Sequence, residues 1–524
     1  MVRRSKEQPG RREKRRAARL AVPPATPSVA DELPGWLGGR ALTALLLGAF
    51  LLPNLGALTC GFVLDDMPLI VDNERLHSLR HLVDVWKGGY WPDRQGLTLY
   101  RPLTQTLWSV LWSVGAGRPF VFHAACLLLG AAVVLLVHRL LRDCGVGLRQ
   151  GAVAALLFAL FPIHTEATTS VVGSAELLAA GLGFSAILVY RRGQWPLALG
   201  LYGAAVLSKE SAAALAGLAV LLEWLAPPPV VLNRRQRGIV AASVALIVAS
   251  ALAARAAVSS GPSFIPVIDN PMSLVGGPRR VLTALWLQVL YVQKTLFPVT
   301  LSADYSYKEI PLVMSVDDAR AWGGLCLAFA VVGSFVYRRS TRLPIVLWTV
   351  PFAVSANLLF PIGTTLAERL AYLPSVGLAL AVARPLSRLK NSTLLAALAV
   401  IGTLYAGRSV VRNLDWHDAH AFYRRLAETS PSSAKTHYFL GALLASEGDD
   451  IAAIGAYDRA IEIFPAYSEA FHNRGNALAR LGRRDEARES YRQCLRFDPG
   501  HQGAARNLAT IDAGLPLAPE RRRL

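Results

Sequence analysis

Long apolar runs recur along this chain, and they decide what it can fold into. Runs of about 17–22 residues alternate with short polar stretches, and this is the length that an α-helix needs to cross a bilayer. Hydrophobic residues make up 53% of the 524 residues and charged residues only 17%, whereas soluble domains carry about 25% charged residues. The sequence therefore predicts an all-α, multi-pass membrane protein.

The apolar runs predict about eleven membrane spans. They are residues 41–59, 120–140, 151–166, 173–190, 195–208, 211–226, 237–257, 319–337, 342–360, 372–387 and 392–408. Two further apolar stretches, 97–114 and 281–298, are predicted to lie along the outer membrane interface, the second because Gln293 and Lys294 interrupt it. If 281–298 crossed the bilayer instead, every later segment would change sides.

The basic residues set the predicted orientation. The net charge is +19, but the Lys and Arg residues do not form the continuous patch expected of a nucleic-acid-binding protein. They lie in short clusters between spans, as at Arg191-Arg192 and Arg338-Arg339. With a cytosolic N-terminus, each cluster falls on the cytosolic side, as the positive-inside rule requires. The acidic loops and the C-terminal region then face the extracytoplasmic side. The richness in Ala, Arg, Gly and Leu indicates a bacterial inner membrane, and the endoplasmic reticulum is the alternative for a eukaryotic chain.

These patterns divide the chain into four parts. Residues 1–40 are predicted to be a disordered, basic, cytosolic arm. Residues 41–410 form the membrane domain, with outer loops at 60–119 and 258–318. Residues 416–514 are soluble in composition, and 515–524 form a basic tail.

The soluble part repeats with a period of 34 residues. The spacing relates Pro431 to Pro465, Gly441 to Gly475, and Tyr457 to Tyr491. A period of 34 with Gly, Ala, an aromatic residue and a closing Pro is typical of tetratricopeptide repeats (TPRs), which are stacked helix pairs. A short TPR stack predicts a surface for a protein partner, and a purely structural spacer is the alternative.

An acidic pair directly follows the first predicted span, in Gly61-Phe62-Val63-Leu64-Asp65-Asp66. A carboxylate at the mouth of a membrane bundle costs free energy unless it has a partner or a function. Further polar motifs end other spans on the same predicted face. They are Asp72-Asn73, Tyr100-Arg101-Pro102-Leu103, Phe122-His123, Phe161-Pro162-Ile163-His164-Thr165-Glu166-Ala167, Val172-Gly173-Ser174-Ala175-Glu176, Ser208-Lys209-Glu210, Asn270-Pro271, Leu301-Ser302-Ala303-Asp304-Tyr305-Ser306, Asn357-Leu358-Leu359-Phe360-Pro361 and Ala367-Glu368-Arg369-Leu370-Ala371-Tyr372.

In their order and spacing, these motifs resemble the transmembrane and TPR-containing O-mannosyltransferases and their bacterial relatives, over about residues 40–514. These are polytopic GT-C-type glycosyltransferases. The resemblance implies transfer of a hexose, by resemblance mannose, from a polyprenyl-phosphate donor to a hydroxyl acceptor such as protein Ser or Thr, on the extracytoplasmic face and with inversion. It implies no cofactor besides the donor substrate. Two positions depart from the family: Phe161 stands where His is usual, and Ser174 where Arg is usual, which alters donor recognition if that Arg binds phosphate.

Such a transfer needs a carboxylate to accept the proton of the hydroxyl and cations to hold the phosphate leaving group. Asp65 and Asp66 are the candidate bases, and the resemblance favours Asp65; a helix cap is the structural alternative for the pair. Arg101, Lys209 and Arg369 are the candidate phosphate ligands. Their structural alternatives are a snorkelling Arg101 and local ion pairs for the other two.

Further candidates lie at the same predicted face. They are His123, His164, Glu166, Glu176, Asp304, Tyr305 and Glu368. Imidazole and carboxylate groups suit a divalent metal ion, but no tight ligand spacing occurs, and a hydrogen-bonded core residue is the alternative for His164. Asp304 and Tyr305 could line the entrance for acceptor or donor lipid, or anchor their loop. Two other functions stay open at this point: a non-catalytic, membrane-anchored TPR scaffold, and a transporter, which would require charges near the membrane midplane.

Overall fold

The computed structural model describes residues 38–92, 99–259 and 265–515. In these ranges the chain forms α-helices joined by short helical turns and loops, and they contain no strand. The predicted all-α fold is therefore confirmed. Residues 1–37 of the predicted basic arm and 516–524 of the predicted basic tail lie outside the described residues.

The part of the chain before the repeats is built from helices of very different length. In order they are α1 (Gly39–Asn54), α2 (Leu82–Lys87), α3 (Pro102–Gly115), α4 (Pro119–Asp143), α5 (Leu148–Leu160), α6 (Thr165–Thr169), α7 (Ser174–Arg191), α8 (Trp195–Ser208), α9 (Ala214–Leu225), α10 (Arg234–Ala257), α11 (Gly277–Leu296), α12 (Ala319–Tyr337), α13 (Arg342–Phe352), α14 (Ser375–Leu386) and α15 (Asn391–Leu414).

Among the described residues, six helical segments are long and apolar enough to cross a membrane. They are Gly39–Thr59, Pro119–Asp143, Val171–Arg191, Arg234–Ala257, Ala319–Tyr337 and Asn391–Leu414. The pair Leu148–Leu160 and Pro162–Thr169, bent by 51°, would make a seventh. The bend follows from Pro162, which cannot continue the hydrogen-bond ladder of α5. These segments confirm a polytopic membrane protein.

The predicted number of about eleven spans is not confirmed and stays a prediction. Two of the predicted spans form α8, with 14 residues, and α14, with 12. At about 1.5 Å per residue, helices of this length fall short of the roughly 30 Å hydrocarbon core. Helix α11, predicted to lie along the interface, is not among the six segments that meet the criteria for a span.

The helices form an inner and an outer group. Most of the apolar stretch of Val171–Arg191 is buried inside the protein, whereas that of α10 is wholly uncovered. Close packing of the inner group depends on small residues, since a Cβ atom at Gly183 of α7 would lie 2.1 Å from the Leu215 side chain of α9. The outer helices therefore present their apolar surfaces to lipid, and the inner helices hold the bend and the loops that carry the polar motifs.

The C-terminal region consists of six more helices. They are α16 (Ala419–Thr429), α17 (Ala434–Glu447), α18 (Asp450–Ile463), α19 (Ser468–Arg480), α20 (Arg484–Phe497) and α21 (Gln502–Asp512). The 34-residue pattern has the predicted packing role. A Cβ atom at Gly441 would lie 2.6 Å from the ring of Tyr457, and one at Gly475 would lie 2.6 Å from Tyr491. The predicted repeats are therefore pairs of helices, each with an aromatic ring filling the gap beside a glycine.

Candidate active site

The two neighbouring aspartates have different environments. Asp66 is fully buried, and its carboxylate accepts hydrogen bonds from the backbone N–H groups of Val172 (3.0 Å) and Val171 (3.4 Å). Burial raises the pKa of Asp66 to about 7, although these N–H groups oppose the shift. Asp66 thus caps the start of the span Val171–Arg191. The Asp65 carboxylate is half-buried and accepts no hydrogen bond from any described residue.

The three predicted phosphate ligands each pair with a carboxylate from a distant part of the chain. We call these six residues the ion-pair cluster. The pairs are Arg101 with Glu210, Lys209 with Glu176, and Arg369 with Glu166.

Arg101 is held by a two-point ion pair. Its guanidinium donates to both carboxylate oxygens of Glu210, at 2.5 and 2.9 Å, and lies 4.8 Å from the centre of the Tyr90 ring. Burial opposes the charge on each partner, but the ion pair outweighs it. The pKa of Arg101 is therefore raised and that of Glu210 is lowered to about 2. Both groups stay ionised over the physiological range, so Arg101 is a fixed positive charge and not a freely snorkelling side chain.

Lys209 and Glu176 form a buried ion pair. The Lys209 side chain is 5% exposed and that of Glu176 is 3% exposed. Lys209 directly follows α8, and Glu176 lies in the first turn of α7. Two charges removed from water in this way require each other, because either one alone would remain buried without a counter-charge.

Arg369 has guanidinium N–H donors that its ion pair with Glu166 does not use. Its backbone N–H and its Nη1 both donate to Glu166, at 2.9 and 2.5 Å. Its side chain is 27% exposed, and among the described residues its Nε and Nη2 find no acceptor. Burial lowers the pKa of Arg369, but the charges of Glu166 and Asp65 more than offset this effect and raise it. Arg369 is therefore close enough to Asp65 to interact electrostatically with its carboxylate.

Glu368, next in the chain, belongs to a different set of contacts. It is fully buried, and its carboxylate accepts from the Tyr305 hydroxyl and from the Ser302 N–H, both at 2.6 Å. Arg412 of α15 lies 3.5 Å away. The structure thus places Tyr305 and Glu368 together, in a set of contacts separate from the three ion pairs of the cluster.

Asp304 attaches its loop to the C-terminal region. Its carboxylate accepts from the hydroxyl of Ser306 at 2.8 Å and from that of Ser433, and its carbonyl oxygen accepts from Ser430 at 2.6 Å. Of the two predicted roles, these contacts favour anchoring over an opening for substrate.

The two candidate histidines are buried in helix packing. His164 bonds to the Ser375 hydroxyl at 2.8 Å and packs between the rings of Phe158 and Tyr372, each 4.6 Å away. His123 is buried near the start of α4. Within the described ranges, no group of three or more His, Cys, Asp or Glu side chains is placed to hold a metal ion. A requirement for a divalent ion stays a prediction.

Two aromatic residues of the site were not foreseen. Tyr90 packs under Arg101, and nothing in its local sequence marks it, since the contact joins segments apart in the chain. Trp108 is fully buried, and its indole N–H donates to Ser174 at 2.9 Å. The serine that departs from the family pattern is therefore satisfied by a tryptophan, whose spacing from Trp112 had indicated only an interfacial helix.

An open apolar groove of about 580 Å³ adjoins the cluster. It runs between α3, α8 and α10 and is lined by Trp86, Leu103, Leu199, Gly200, Gly203, Ala204, Leu207, Ser243 and Ile247. Leu103 and Leu207 are each two residues from a cation of the cluster, Arg101 and Lys209. Small residues on α8 leave the space, and the uncovered helix α10 forms its outer wall.

Family comparisons agree with the two-part architecture. Residues 259–332 match the family model described as Protein O-mannosyl-transferase TMTC, DUF1736, and residues 405–468 and 468–501 match tetratricopeptide-repeat models.

Relatives match most of this chain. Protein O-mannosyl-transferase TMTC3 of Mus musculus is 27% identical over 87% of it, Tmtc3 of Drosophila melanogaster 29% over 87%, and TMTC4 of Homo sapiens 28% over 76%. The chain spans 56%, 60% and 63% of these curated relatives. Over most of its length, from the membrane helices to the repeats, this chain is therefore similar to proteins named as TMTC protein O-mannosyl-transferases.

Proposed function

We propose that this protein transfers a hexose, by its homology mannose, from a polyprenyl-phosphate donor to a Ser or Thr hydroxyl of a protein on the extracytoplasmic face of the membrane. The names of the relatives support a protein mannosyltransferase. The observation that carries the proposal is the half-buried carboxylate of Asp65, which accepts no hydrogen bond from a described residue and is within electrostatic reach of the partly exposed guanidinium of Arg369. The three cations of the cluster, Arg369 included, each have a carboxylate partner.

Asp65 is the proposed general base. Its half-buried carboxylate has no competing hydrogen bond from a described residue, so it can accept the proton of an acceptor hydroxyl as the new glycosidic bond forms. Asp66 cannot do this without giving up the two N–H groups that it caps. The structure thus separates the pair into a proposed base and a residue that holds the loop.

Arg369 is the proposed ligand of the leaving phosphate. Its unused N–H donors can form charge-assisted hydrogen bonds to phosphate oxygens as negative charge develops there. Arg101 and Lys209 contribute fixed positive charge from behind, because both are already bonded to carboxylates. Attack by the hydroxyl on the anomeric carbon, with departure of the polyprenyl phosphate, inverts the configuration.

The apolar groove supports a donor that carries a lipid. An isoprenoid chain between α8 and α10 would bury apolar surface of Leu103, Leu207 and Ile247, while its phosphate would lie at the cationic end of the groove. A soluble nucleotide sugar would leave this groove unused. The repeats support a protein acceptor, since stacked helix pairs offer a concave surface for a polypeptide.

Sugar transfer by the purified protein in detergent tests the proposal. Radiolabelled polyprenyl-phosphate mannose is offered with short Ser/Thr peptides and, separately, with extracts of extracytoplasmic proteins. The wild type is expected to transfer label, Asp65→Asn to lose transfer, and Asp66→Asn to retain most of it, because the amide oxygen of Asn can still accept from the Val172 N–H, the shorter of the two contacts. Absence of transfer from mannose, glucose and other lipid-linked sugars by folded wild type would instead support a TPR scaffold.

A further inference from the structure

The C-terminal region packs directly against the loop that carries the acidic pair. Cys60 and Val63 share a buried apolar cluster with Trp416, Phe422 and Tyr423. The Gly61 N–H donates to the carbonyl of His417 at 2.8 Å. Helix α16 therefore covers the loop from Cys60 to Leu64.

A second attachment lies on the other outer loop, and we call it the tail seam. It joins residues 302–309 and Asp269 to the residues around the start of α17. Ser302 bonds to Ser430 at 2.6 Å, Asp304 accepts from Ser433, and Lys435 forms an ion pair with Asp269 at 2.7 Å. Two separate contacts thus fix the first repeat helices to the membrane domain.

The aromatic residue at the 34-residue spacing, Tyr423 in the first repeat, has different contacts from its equivalents in the later repeats. Tyr457 and Tyr491 each fill the space beside a glycine, Gly441 and Gly475. The equivalent glycine for Tyr423, 34 residues before Gly441, is Gly407, and no described atom lies within 4 Å of a Cβ built there. Tyr423 instead shares a buried apolar cluster with Val63 and partly buried Leu64, and its ring stacks on that of Phe439 at 5.4 Å. The aromatic ring of the incomplete first repeat therefore belongs to the apolar cluster of the acidic loop.

This loop contains a conformation that needs support. Leu64 has φ +52°, in the left-handed region that a branched or bulky residue rarely adopts. Asp65 is the next residue, so a change at Leu64 would redirect its carboxylate. Burial and the charge of Asp65 both raise the pKa of the Tyr423 hydroxyl, and the Leu64 N–H opposes them, in agreement with the close approach of these groups.

We infer that Tyr423 of α16 is a positioning residue for Asp65, and that the first repeat is therefore part of the active site. The inference rests on the proposed function. Tyr423 supports the turn at Leu64, and the turn aims the Asp65 carboxylate at the acceptor hydroxyl. Recruitment of the acceptor by the later repeats would be a separate role.

The repeat supplies a matched control. Tyr457 occupies the same position one repeat later, and its ring packs on Gly441 and away from the acidic loop. Tyr423→Ala and Tyr457→Ala therefore remove the same side chain from equivalent repeat positions. Tyr423→Phe keeps the ring. A short Ser/Thr peptide is used as acceptor, so that recruitment by the later repeats does not enter the rate.

Two readouts are measured on the full-length protein: steady-state kinetics with polyprenyl-phosphate mannose, and hydrogen–deuterium exchange of residues 61–66. Tyr423→Ala is expected to lower kcat by about tenfold or more with the donor KM within about twofold, because a misplaced base affects the chemical step and not donor binding. Exchange across 61–66 should rise in the same variant. Tyr423→Phe should restore both, and Tyr457→Ala should match the wild type.

A folded Tyr423→Ala protein with wild-type kcat and wild-type exchange would overturn the inference, as would an equal loss of kcat in Tyr457→Ala. If Tyr423→Ala does not fold, Tyr423→Leu replaces it, since leucine keeps part of the apolar volume. If the wild type transfers no sugar, the proposed function fails. Exchange still shows in that case whether α16 holds the loop, so the two failures are distinguishable.

Discussion

The ion-pair cluster and the tail seam both concentrate acidic residues at loops, but they bind them in opposite ways. In the cluster, Glu166, Glu176 and Glu210 each meet an Arg or Lys. In the seam, Asp304 accepts from the hydroxyls of Ser306 and Ser433, although Asp269 of the same seam meets a cation, Lys435. Hydroxyl partners hold two surfaces together, whereas paired charges create a local field that can act on a substrate.

The difference shows how a catalytic carboxylate can be told from a structural one. The Asp304 carboxylate is engaged by its loop and by the C-terminal helices. The Asp65 carboxylate lies beside the cluster and has no such bond from a described residue. The candidate base is therefore the carboxylate that accepts no hydrogen bond from a described residue, and an acidic side chain alone does not identify it.

The same chemical change in the two regions should have the most divergent effects. Asp65→Asn is expected to lower turnover by about 10²–10⁴-fold, the range for loss of a general base. Asp304→Asn should leave turnover within a few fold but loosen the tail seam, because a neutral amide oxygen is a weaker acceptor for the Ser306 and Ser433 hydroxyls than the carboxylate oxygen that they share. Sugar transfer and limited proteolysis between residues 415 and 440 measure the two effects. Loss of turnover in Asp304→Asn equal to that in Asp65→Asn would remove the distinction between the regions.

The buried pair of the cluster should dominate stability. Lys209→Met leaves Glu176 without its counter-charge and is expected to destabilise the fold by about 3–5 kcal/mol. The double variant Lys209→Met/Glu176→Leu should recover much of that loss, since no charge then remains buried. Thermal unfolding of the wild type, Lys209→Met, Glu176→Leu and the double variant in one detergent provides the double-mutant cycle. Additive losses in the double variant would show that the two side chains do not depend on each other.

Within the cluster, the two arginines should respond differently to lysine. Lysine keeps the charge but loses the planar fork of donors. Arg369→Lys is expected to raise the donor KM by about tenfold, the value of one charge-assisted hydrogen bond of about 1.4 kcal/mol. Arg101→Lys should change it less, because the Arg101 fork is already used by Glu210. Donor titrations at fixed acceptor measure both, and a larger effect at Arg101 would reassign the phosphate ligand.

Much of the fold was predictable because its signals are local. The apolar runs gave the long helices, and the 34-residue period gave the packing of Tyr457 on Gly441. The number of spans could not be decided in this way. Residues 195–208 are apolar enough for a span but form a helix too short for one, and hydropathy alone does not set where a helix breaks.

The site was predictable as a set of residues but not as a set of pairs. Motif order placed the cations and carboxylates on one face. The partners, however, are 33 residues apart for Glu176 and Lys209, and 203 for Glu166 and Arg369. No local pattern encodes such pairs. The contact of Tyr423 with the acidic loop could not be predicted for the same reason, since it joins segments that are far apart in the chain.

A further expected effect is a pH dependence of stability at Asp66, spread over several pH units. Its pKa in the fold, about 7, lies above the value of about 4 for an unfolded aspartate. The folded state therefore binds the proton more tightly, and stability should fall as pH rises from about 4 to 7, by at most about 1.4 kcal/mol per pH unit. The Asn side chain of Asp66→Asn does not titrate. The thermal midpoint of this variant should therefore rise relative to that of the wild type as pH increases through this window, and the difference should stay constant at higher pH. Parallel curves from pH 4.5 to 8 would mean that Asp66 is ionised in the fold, and that the N–H groups of Val171 and Val172 alone stabilise its charge.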